Sequence, residues 1–146
     1  MSRREKRLAR TISLQVIYAQ ELSGAEPGST IPVIVDDFED TPPSEVIAYS
    51  GKLARLTIDH SEEMDGLITH RSKNWDISRI SLMDRLILRM SLAEMIYEED
   101  IPPKVSIAEG VEIAKVFSTD ESSGFVNGIL DSVYNDLLKG KIKFEK

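Results

Sequence analysis

The chain has 146 residues, a net charge of −7, 41% hydrophobic and 29% charged residues, and no cysteine. A chain of this size and composition can bury a core without metals or disulfides, and the absence of cysteine excludes thiolate catalysis and cysteine-ligated zinc. No apolar run approaches the length of a membrane-spanning helix, and no apolar segment follows the basic N-terminus as it would in a secretory signal. We therefore expect a single cytoplasmic domain over residues 1–146.

The charge is distributed unevenly, with the basic residues concentrated at the two ends. Residues 1–10 carry a net charge of +4 and residues 139–146 carry +3, whereas residues 11–138 carry −14. An acidic body repels nucleic acid at long range, so a polyanion would have to be held by a basic end. Arginine outnumbers lysine four to one in residues 1–10, which favours bidentate contacts with phosphate. The alternative is a solvated terminus that only aids solubility.

Apolar residues recur at helical spacing along almost the whole chain. The first such run predicts a helix over 3–22, and the Gly-, Pro- and Ser-rich segment 23–30 predicts the loop that ends it. The next segment, 30–39, is rich in β-branched residues and could be a strand. We predict a short helix there, because Pro32 would fall in its first turn, where proline is tolerated.

A long helix is predicted after the TPP segment at 41–43. From there, apolar residues step by threes and fours over six turns as far as Leu67. His60 falls on this apolar stripe, so we interpret it as a half-buried core residue rather than a metal ligand. The segment 72–78 is predicted to break the chain, with a single helical turn after it.

Three further helices are predicted over about 82–97, 104–117 and 122–138. The first of these is apolar on most sides, which is typical of a buried central helix. Ser81 stands before it and Asp84 follows three residues later, at the spacing of a capping box. The pattern as a whole predicts an all-α fold of six or seven helices.

No motif in the sequence indicates an enzyme, a metal site or a cofactor site. The two histidines lack a second ligand at the spacing a metal needs on a helix. The acidic run at 36–40 lacks the glycine and alternating ligands of a calcium loop, and SGK at 50–52 lacks the upstream glycine of a phosphate loop. We therefore expect no catalytic residue, no metal and no cofactor.

Three stretches carry a resemblance to a known family when they are taken together: RLARTISLQVIYAQELSG (7–24), MDRLILRMSLAEMIYEEDIPPKVSIAEGVEIAKVFS (83–118) and FVNGILDSV (125–133). In this order and spacing they resemble the NusB transcription antitermination family, over nearly the whole chain and most weakly at 25–70. The resemblance implies a compact all-α bundle in two small subdomains and no enzymatic activity.

The resemblance also implies a function and two partners. It implies a transcription antitermination factor that binds single-stranded boxA RNA of nascent ribosomal RNA together with a NusE-type small-subunit ribosomal protein. The pair would act within an antitermination complex on RNA polymerase. The basic N-terminal residues would then lie on the RNA surface.

Site residues follow from the same resemblance. The RNA-binding residues that it implies are Arg3, Arg4, Lys6, Arg7, Arg10, Lys115, Phe117, Ser122 and Phe125. The partner-binding residues that it implies are Tyr18, Asp84, Arg85, Arg89 and Glu94. The two phenylalanines would stack on splayed bases, with core packing as the alternative. Asp84 could instead serve the cap of its own helix. Leu8 and Gly124 stand where relatives often carry a basic residue, so two RNA contacts would be missing.

Other interpretations stay open at this level. One is the related RNA-binding domain that precedes an RNA cytosine methyltransferase, although that enzyme would need several hundred more residues than the 146 here. Another, from a different class, is a helical protein-interaction module with no role in RNA binding. Some relatives self-associate, so a homodimer is also open.

Overall fold

The computed structural model describes residues 1–72 and 80–142. These residues form seven α-helices and no strand: α1 (Arg3–Ser23), α2 (Pro27–Asp36), α3 (Ser44–Asp59), α4 (Ser61–Arg71), α5 (Leu82–Tyr97), α6 (Pro103–Phe117) and α7 (Asp120–Leu138). The predicted all-α fold of six or seven helices is confirmed. Residues 73–78 of the predicted break lie outside the described residues. Of the helices just given, none is both long and apolar enough to cross a membrane.

The chain divides into two compact units, Met1–Asp59 and His60–Lys146, called here the N-terminal and the C-terminal unit. In the N-terminal unit, α1 packs against α2 and α3, and α2 packs against α3. In the C-terminal unit, α5 packs against α4, α6 and α7, and α6 packs against α7. Two units agree with the two small subdomains that the resemblance implies.

The apolar stripe of α1 forms the core of the N-terminal unit. Ala9, Ile12 and Val16 are completely buried, and their spacing places them on one face of the helix. Ser50 on α3 lies against this face and donates a hydrogen bond to the Ala9 carbonyl at 3.1 Å and to the Val46 carbonyl at 2.7 Å. Because the buried hydroxyl has acceptors on both helices, it satisfies its hydrogen-bonding requirement and ties α3 to α1.

The C-terminal unit is built around α5, which is buried on nearly every side. Gly110 of α6 lets the neighbouring helices approach closely. A Cβ at this position would lie 2.6 Å from Ser91 Oγ of α5 and 3.0 Å from Leu130 Cδ1 of α7. The predicted central helix over 82–97 is therefore correct in both position and burial.

Two predicted elements differ from the structure. The long helix after 41–43 is two helices, because His60 leaves the helical conformation with φ −109° and ψ 17°. Its carbonyl still accepts from Met64 N at 3.0 Å, so the apolar spacing continues across the break and conceals it. The short helix begins at Pro27, three residues before the predicted start, and Pro32 lies inside it. Pro27 is the residue that occupies the first turn, as the preference for proline at that position explains.

Candidate nucleic-acid and protein interface

The start of α1 is held by a capping box. Ser2 Oγ accepts from Glu5 N at 3.1 Å, and Ser2 N donates to Glu5 Oε1 at 2.9 Å. The hydrogen bond from the Ser2 backbone N–H holds the pKa of the Glu5 carboxyl below its ordinary value. A carboxylate in the first turn also interacts favourably with the helix dipole. This local arrangement allows a helix to begin within an arginine-rich segment.

The five basic candidates on α1 do not share one environment. Arg3, Arg4 and Arg7 are exposed, and Lys6 is half-buried. Arg10 is only 3% exposed. Arg3 and Arg7 are one turn apart, so they project from the same side of the helix. Four of the five candidates therefore present positive charge at the surface, and Arg10 lies in the interior.

Tyr18 lies on α1, about three helical turns beyond Arg7. It is 38% exposed, and Leu22, one turn beyond it, is 61% exposed. Arg7, Tyr18 and Leu22 are separated by multiples of a helical turn and share an exposed side of α1. This side is basic at its start and apolar at its end. α1 ends at Gly24, whose φ of 72° allows its N–H to reach the Gln20 carbonyl at 2.8 Å.

The end of α6 carries the next two RNA candidates. Lys115 is exposed and forms a weak ion pair with Glu112, with 3.4 Å between Nζ and Oε1. Phe117 is 37% exposed, and Val116 beside it is 74% exposed. The helix therefore ends in a charged and apolar surface, which suits a ligand that combines phosphate with a flat apolar ring.

The start of α7 is organised by hydroxyl groups. Thr119 is the N-cap residue, and its Oγ1 accepts from Ser122 N at 2.9 Å. Ser122 Oγ accepts from Thr119 Oγ1 at 3.0 Å and from Ser118 Oγ at 3.1 Å, and it donates to Asp84 Oδ2 at 2.8 Å. Asp84 stands in the first turn of α5, where Ser81 Oγ caps its backbone N–H at 3.1 Å. The Ser122 hydroxyl thus links the first turns of α7 and α5.

These two helix starts enclose a cavity of about 310 Å³. Its lining consists of Ile80, Ser81, Asp84, Thr119, Glu121, Ser122 and Phe125. We call it the α5–α7 cavity. Two RNA candidates, Ser122 and Phe125, therefore meet a partner candidate, Asp84, around one space. The family resemblance assigned them to separate surfaces, and the packing of α5 against α7 brings them together.

Three partner candidates on α5 are buried and already bonded to neighbouring helices. Asp84 accepts from Ser122, as described. Arg89 forms a bidentate pair with Asp65 of α4, with Nε–Oδ1 at 2.7 Å and Nη2–Oδ2 at 2.6 Å. Glu94 Oε1 accepts from Ser106 Oγ of α6 at 2.8 Å.

Accessibility thus separates the partner candidates into two groups. Asp84, Arg89 and Glu94 organise the C-terminal unit from inside, whereas Tyr18 is exposed and Arg85 is half-buried. Asp65 and Ser106, which hold two of the buried charges, did not stand out in the sequence. Within residues 1–72 and 80–142, no group of three or more His, Cys, Asp or Glu side chains is arranged to hold a metal ion.

Comparison with known proteins gives consistent matches along the chain. The model of the NusB family matches residues 7–135. The transcription antitermination protein NusB of Syntrophus aciditrophicus (strain SB) is 38% identical over 136 residues, which is 93% of this chain and 83% of that protein. The protein of the same name from Geobacter sulfurreducens is 36% identical over 132 residues, which is 90% of this chain and 95% of that protein.

A solved structure shows the same similarity in three dimensions. The crystal structure of the antitermination factors NusB and NusE in complex with dsRNA contains a chain that superposes with a TM-score of 0.79 at 27% identity. The superposition covers 92% of this chain and 98% of that one.

Proposed function

Because the chain belongs to the NusB family, we propose that it is a transcription antitermination factor that binds RNA together with a NusE-type ribosomal protein. The observation that carries the proposal is the likeness, over 92% of this chain, to a chain solved with NusE and RNA. The relatives that match over most of their length are transcription antitermination proteins. The role is one of binding rather than catalysis. It is exercised in the cytoplasm, beside RNA polymerase, by residues 1–146 acting as one RNA-binding domain.

The RNA ligand in this proposal is a single strand that carries a boxA-like element. Phosphate contacts from Arg3, Arg4 and Arg7 position an RNA without reading its sequence. Sequence-specific recognition needs unstacked bases, which stack on aromatic rings and expose their edges to hydrogen-bonding groups, as single strands allow and duplexes do not. Phe117, with 37% of its surface exposed, offers such a ring. The similar NusB–NusE structure holds dsRNA, so the strand state of the ligand has to be measured directly.

We expect the protein partner to provide phosphate contacts that the acidic part of this chain lacks. Residues 11–138 carry a net charge of −14, which opposes the approach of RNA everywhere except at the basic ends. A basic ribosomal protein is attracted to this acidic body and adds phosphate contacts of its own. The exposed Tyr18 and Leu22 of α1 give that partner an amphipathic anchor of the type that interfaces favour.

A titration with three RNAs tests the function. Single-stranded boxA RNA, a scrambled strand of equal length and the boxA duplex are each titrated with and without the NusE-type protein. We expect the tightest binding for the boxA strand with the partner present. Equal affinity for the scrambled strand would contradict sequence-specific recognition. Binding of the protein partner with no RNA binding would instead establish a helical protein-interaction module.

A further inference from the structure

Besides the α5–α7 cavity, the C-terminal unit has a second cavity, of about 480 Å³, between the last turns of α4 and α7. We call it the α4–α7 cavity. It lies at the basic C-terminal end of the chain, where residues 139–146 carry a net charge of +3. The proposed function assigns no role to this end. The residues that line the cavity are Gly66, Leu67, His70, Arg71, Asp136, Lys141 and Ile142.

The arginine and the aspartate of this lining neutralise each other. Arg71 Nη2 lies 2.5 Å from Asp136 Oδ2, and the Arg71 side chain is only 7% exposed. Arg71 Nη1 also donates to the Leu67 carbonyl at 3.2 Å. The pair therefore fixes one wall of the cavity and holds α4 against α7. The positive charge that remains for a ligand comes from Lys141.

Basic side chains near a helix C-terminus often serve to bond its last carbonyl groups. At this end of the molecule other donors do so. Ser72 Oγ donates to the Ile68 carbonyl of α4 at 2.8 Å, and the backbone N–H of Lys141 donates to the Asp136 carbonyl of α7 at 2.9 Å. The side chains of His70 and Lys141 are therefore not needed to cap the two helices.

The imidazole of His70 and the ammonium of Lys141 remain available to a ligand. Both residues are exposed, and neither side chain forms a hydrogen bond or an ion pair within residues 1–72 and 80–142. They supply N–H donors, with one positive charge from Lys141, at a cavity whose other two charges cancel. This combination suits an oxyanion that accepts several hydrogen bonds at once.

We propose that the α4–α7 cavity binds a phosphate group through Lys141 and His70. The backbone of an RNA strand and a free phosphate compound offer the same chemistry. The RNA source rests on the proposed function. α7 has 19 residues, so its two ends lie roughly 27 Å apart at 1.5 Å per residue. An RNA held at Ser122 and Phe125, near the start of α7, therefore reaches the cavity only if it extends beyond the boxA element.

A titration with inorganic phosphate tests the site itself. The ring resonances of His70 are followed by NMR at fixed pH, with chloride keeping the ionic strength constant. We expect a saturable change in the wild-type chain. Lys141→Met removes the charged donor and should weaken phosphate binding about tenfold, as expected for a hydrogen bond to a charged group. Lys139→Met is the matched control, because Lys139 is an exposed cation at the same helix end that does not line the cavity.

A second titration identifies the source of the phosphate. It compares the boxA strand with the same strand extended by uridine tracts at both ends. If RNA is the source, the tracts should tighten wild-type binding about tenfold. Lys141→Met should abolish this gain, and Lys139→Met should keep it. Saturable phosphate binding that depends on Lys141, without a gain from the tracts, assigns the site to a free phosphate compound.

Two results overturn the inference. One is the absence of both saturable phosphate binding and a gain that depends on Lys141. The other is an equal loss in Lys141→Met and Lys139→Met, because the effect would then reflect net charge alone. Failure of the proposed function shows differently, since the wild-type chain would then not bind the unextended boxA strand. The phosphate titration still decides whether the cavity is a site.

Discussion

The basic first turns of α1 and the charged residues of α5 differ in how far their side chains are buried. Arg3, Arg4 and Arg7 are exposed at the surface of the N-terminal unit. Arg89 and Glu94 of the C-terminal unit are buried, and each is hydrogen-bonded to a neighbouring helix. An exposed cation keeps most of its hydration and can exchange water for a phosphate. A buried charge that loses its partner is costly, so it belongs to the fold first.

This contrast shows that the family resemblance identifies candidate residues but does not show which of them are accessible. The family resemblance assigned both groups to binding surfaces by residue type and order. Burial then separates them, because Arg89 is 7% exposed and its guanidinium is committed to Asp65. Arg89 keeps α4 and α5 in place, and we expect any effect of its loss on a protein partner to follow from that. Stability and affinity measurements on matched variants test this division.

The largest effect is expected for Arg89→Ala. This change removes a bidentate pair whose arginine side chain is 9% exposed and whose aspartate is 29% exposed. We expect the free energy of unfolding to fall by about 3 kcal/mol, the lower end for a broken buried pair. Urea unfolding measures it, with Arg4→Ala as an exposed control that should stay within about 0.5 kcal/mol of wild type. Wild-type stability in Arg89→Ala with loss of partner binding would make Arg89 a surface contact and remove the contrast.

The second effect concerns the RNA and should leave the fold intact. Replacing Arg3, Arg4 and Arg7 with glutamine removes about three phosphate contacts. Single strands contribute about −0.7 to the salt slope per phosphate, so a wild-type slope near −3 should become shallower by about 2. By the same relation, affinity near physiological salt should fall roughly 50-fold. The free energy of unfolding should stay level or rise by about 1 kcal/mol, because cations oppose the dipole at a helix start.

Lys104→Gln is the matched control for the arginine variant. Lys104 is also an exposed cation in the first turn of a helix, α6, but it lies outside the proposed RNA residues. Its removal should leave the salt slope unchanged. A slope that changes by the same amount per charge for Lys104 as for the arginines would mean that RNA responds to net charge alone, and the basic start of α1 would lose its special role.

Helices were predictable from this sequence because their apolar spacing is regular. The helix at 82–97 was placed correctly at both ends, since a polar cap precedes it and a proline-containing link follows. The break at His60 was missed, because a single non-helical residue leaves the spacing of threes and fours intact. Pro32 was placed in a first turn that Pro27 occupies instead.

The residues of the candidate site could be predicted from the sequence, but their arrangement in space could not. The family resemblance identified Asp84, Ser122 and Phe125, but only packing shows that they line one cavity. Arg10 is buried, and nothing in a run of five basic residues among ten reveals which of them points inward. Pairings such as Arg89–Asp65 join residues 24 positions apart, beyond the reach of local patterns.

A third and smaller effect is expected for Tyr97→Phe. It tests whether the burial of a hydrogen-bonded pair, rather than its place in the C-terminal unit, determines how much stability its loss costs. Tyr97 Oη donates to Glu63 Oε2 at 2.7 Å, and His60 Nδ1 lies 3.1 Å from Glu63 Oε1. Burial, supported by the bond to Glu63, raises the pKa of Tyr97 to about 12. The bond from Tyr97 lowers the pKa of Glu63. Since the Glu63 side chain is 49% exposed, Tyr97→Phe should cost less than about 1 kcal/mol at neutral pH.

The stability cost of Tyr97→Phe depends on pH, in a direction that the two pKa shifts define for the alkaline and the acidic range. The raised pKa of Tyr97 gives stability that is complete below about pH 10 and is lost as the pH rises through about 12. The lowered pKa of Glu63 gives stability that is present above its ordinary value of 4.5 and is lost as the pH falls below it. The difference between wild type and Tyr97→Phe should therefore shrink at both extremes. Phenolate absorbance checks the alkaline side, where the late titration of Tyr97 near pH 12 should be missing in the variant.

The smallest effect is expected for Glu112→Gln, and it tests whether the end of α6 belongs with the exposed basic surface. The Lys115–Glu112 pair is 3.4 Å long, and its side chains are 47% and 48% exposed, so its loss should change the free energy of unfolding by no more than about 0.5 kcal/mol. If Lys115 faces RNA, removing the neighbouring negative charge should tighten RNA binding by about two- to threefold at low salt, and screening should erase the gain at high salt. Glu99→Gln is the control, since Glu99 is an exposed acid in the link between α5 and α6 and should have no effect on RNA affinity. A gain of equal size from both variants would reflect net charge, whereas no gain from Glu112→Gln would place Lys115 away from the RNA and confine the phosphate contacts to α1.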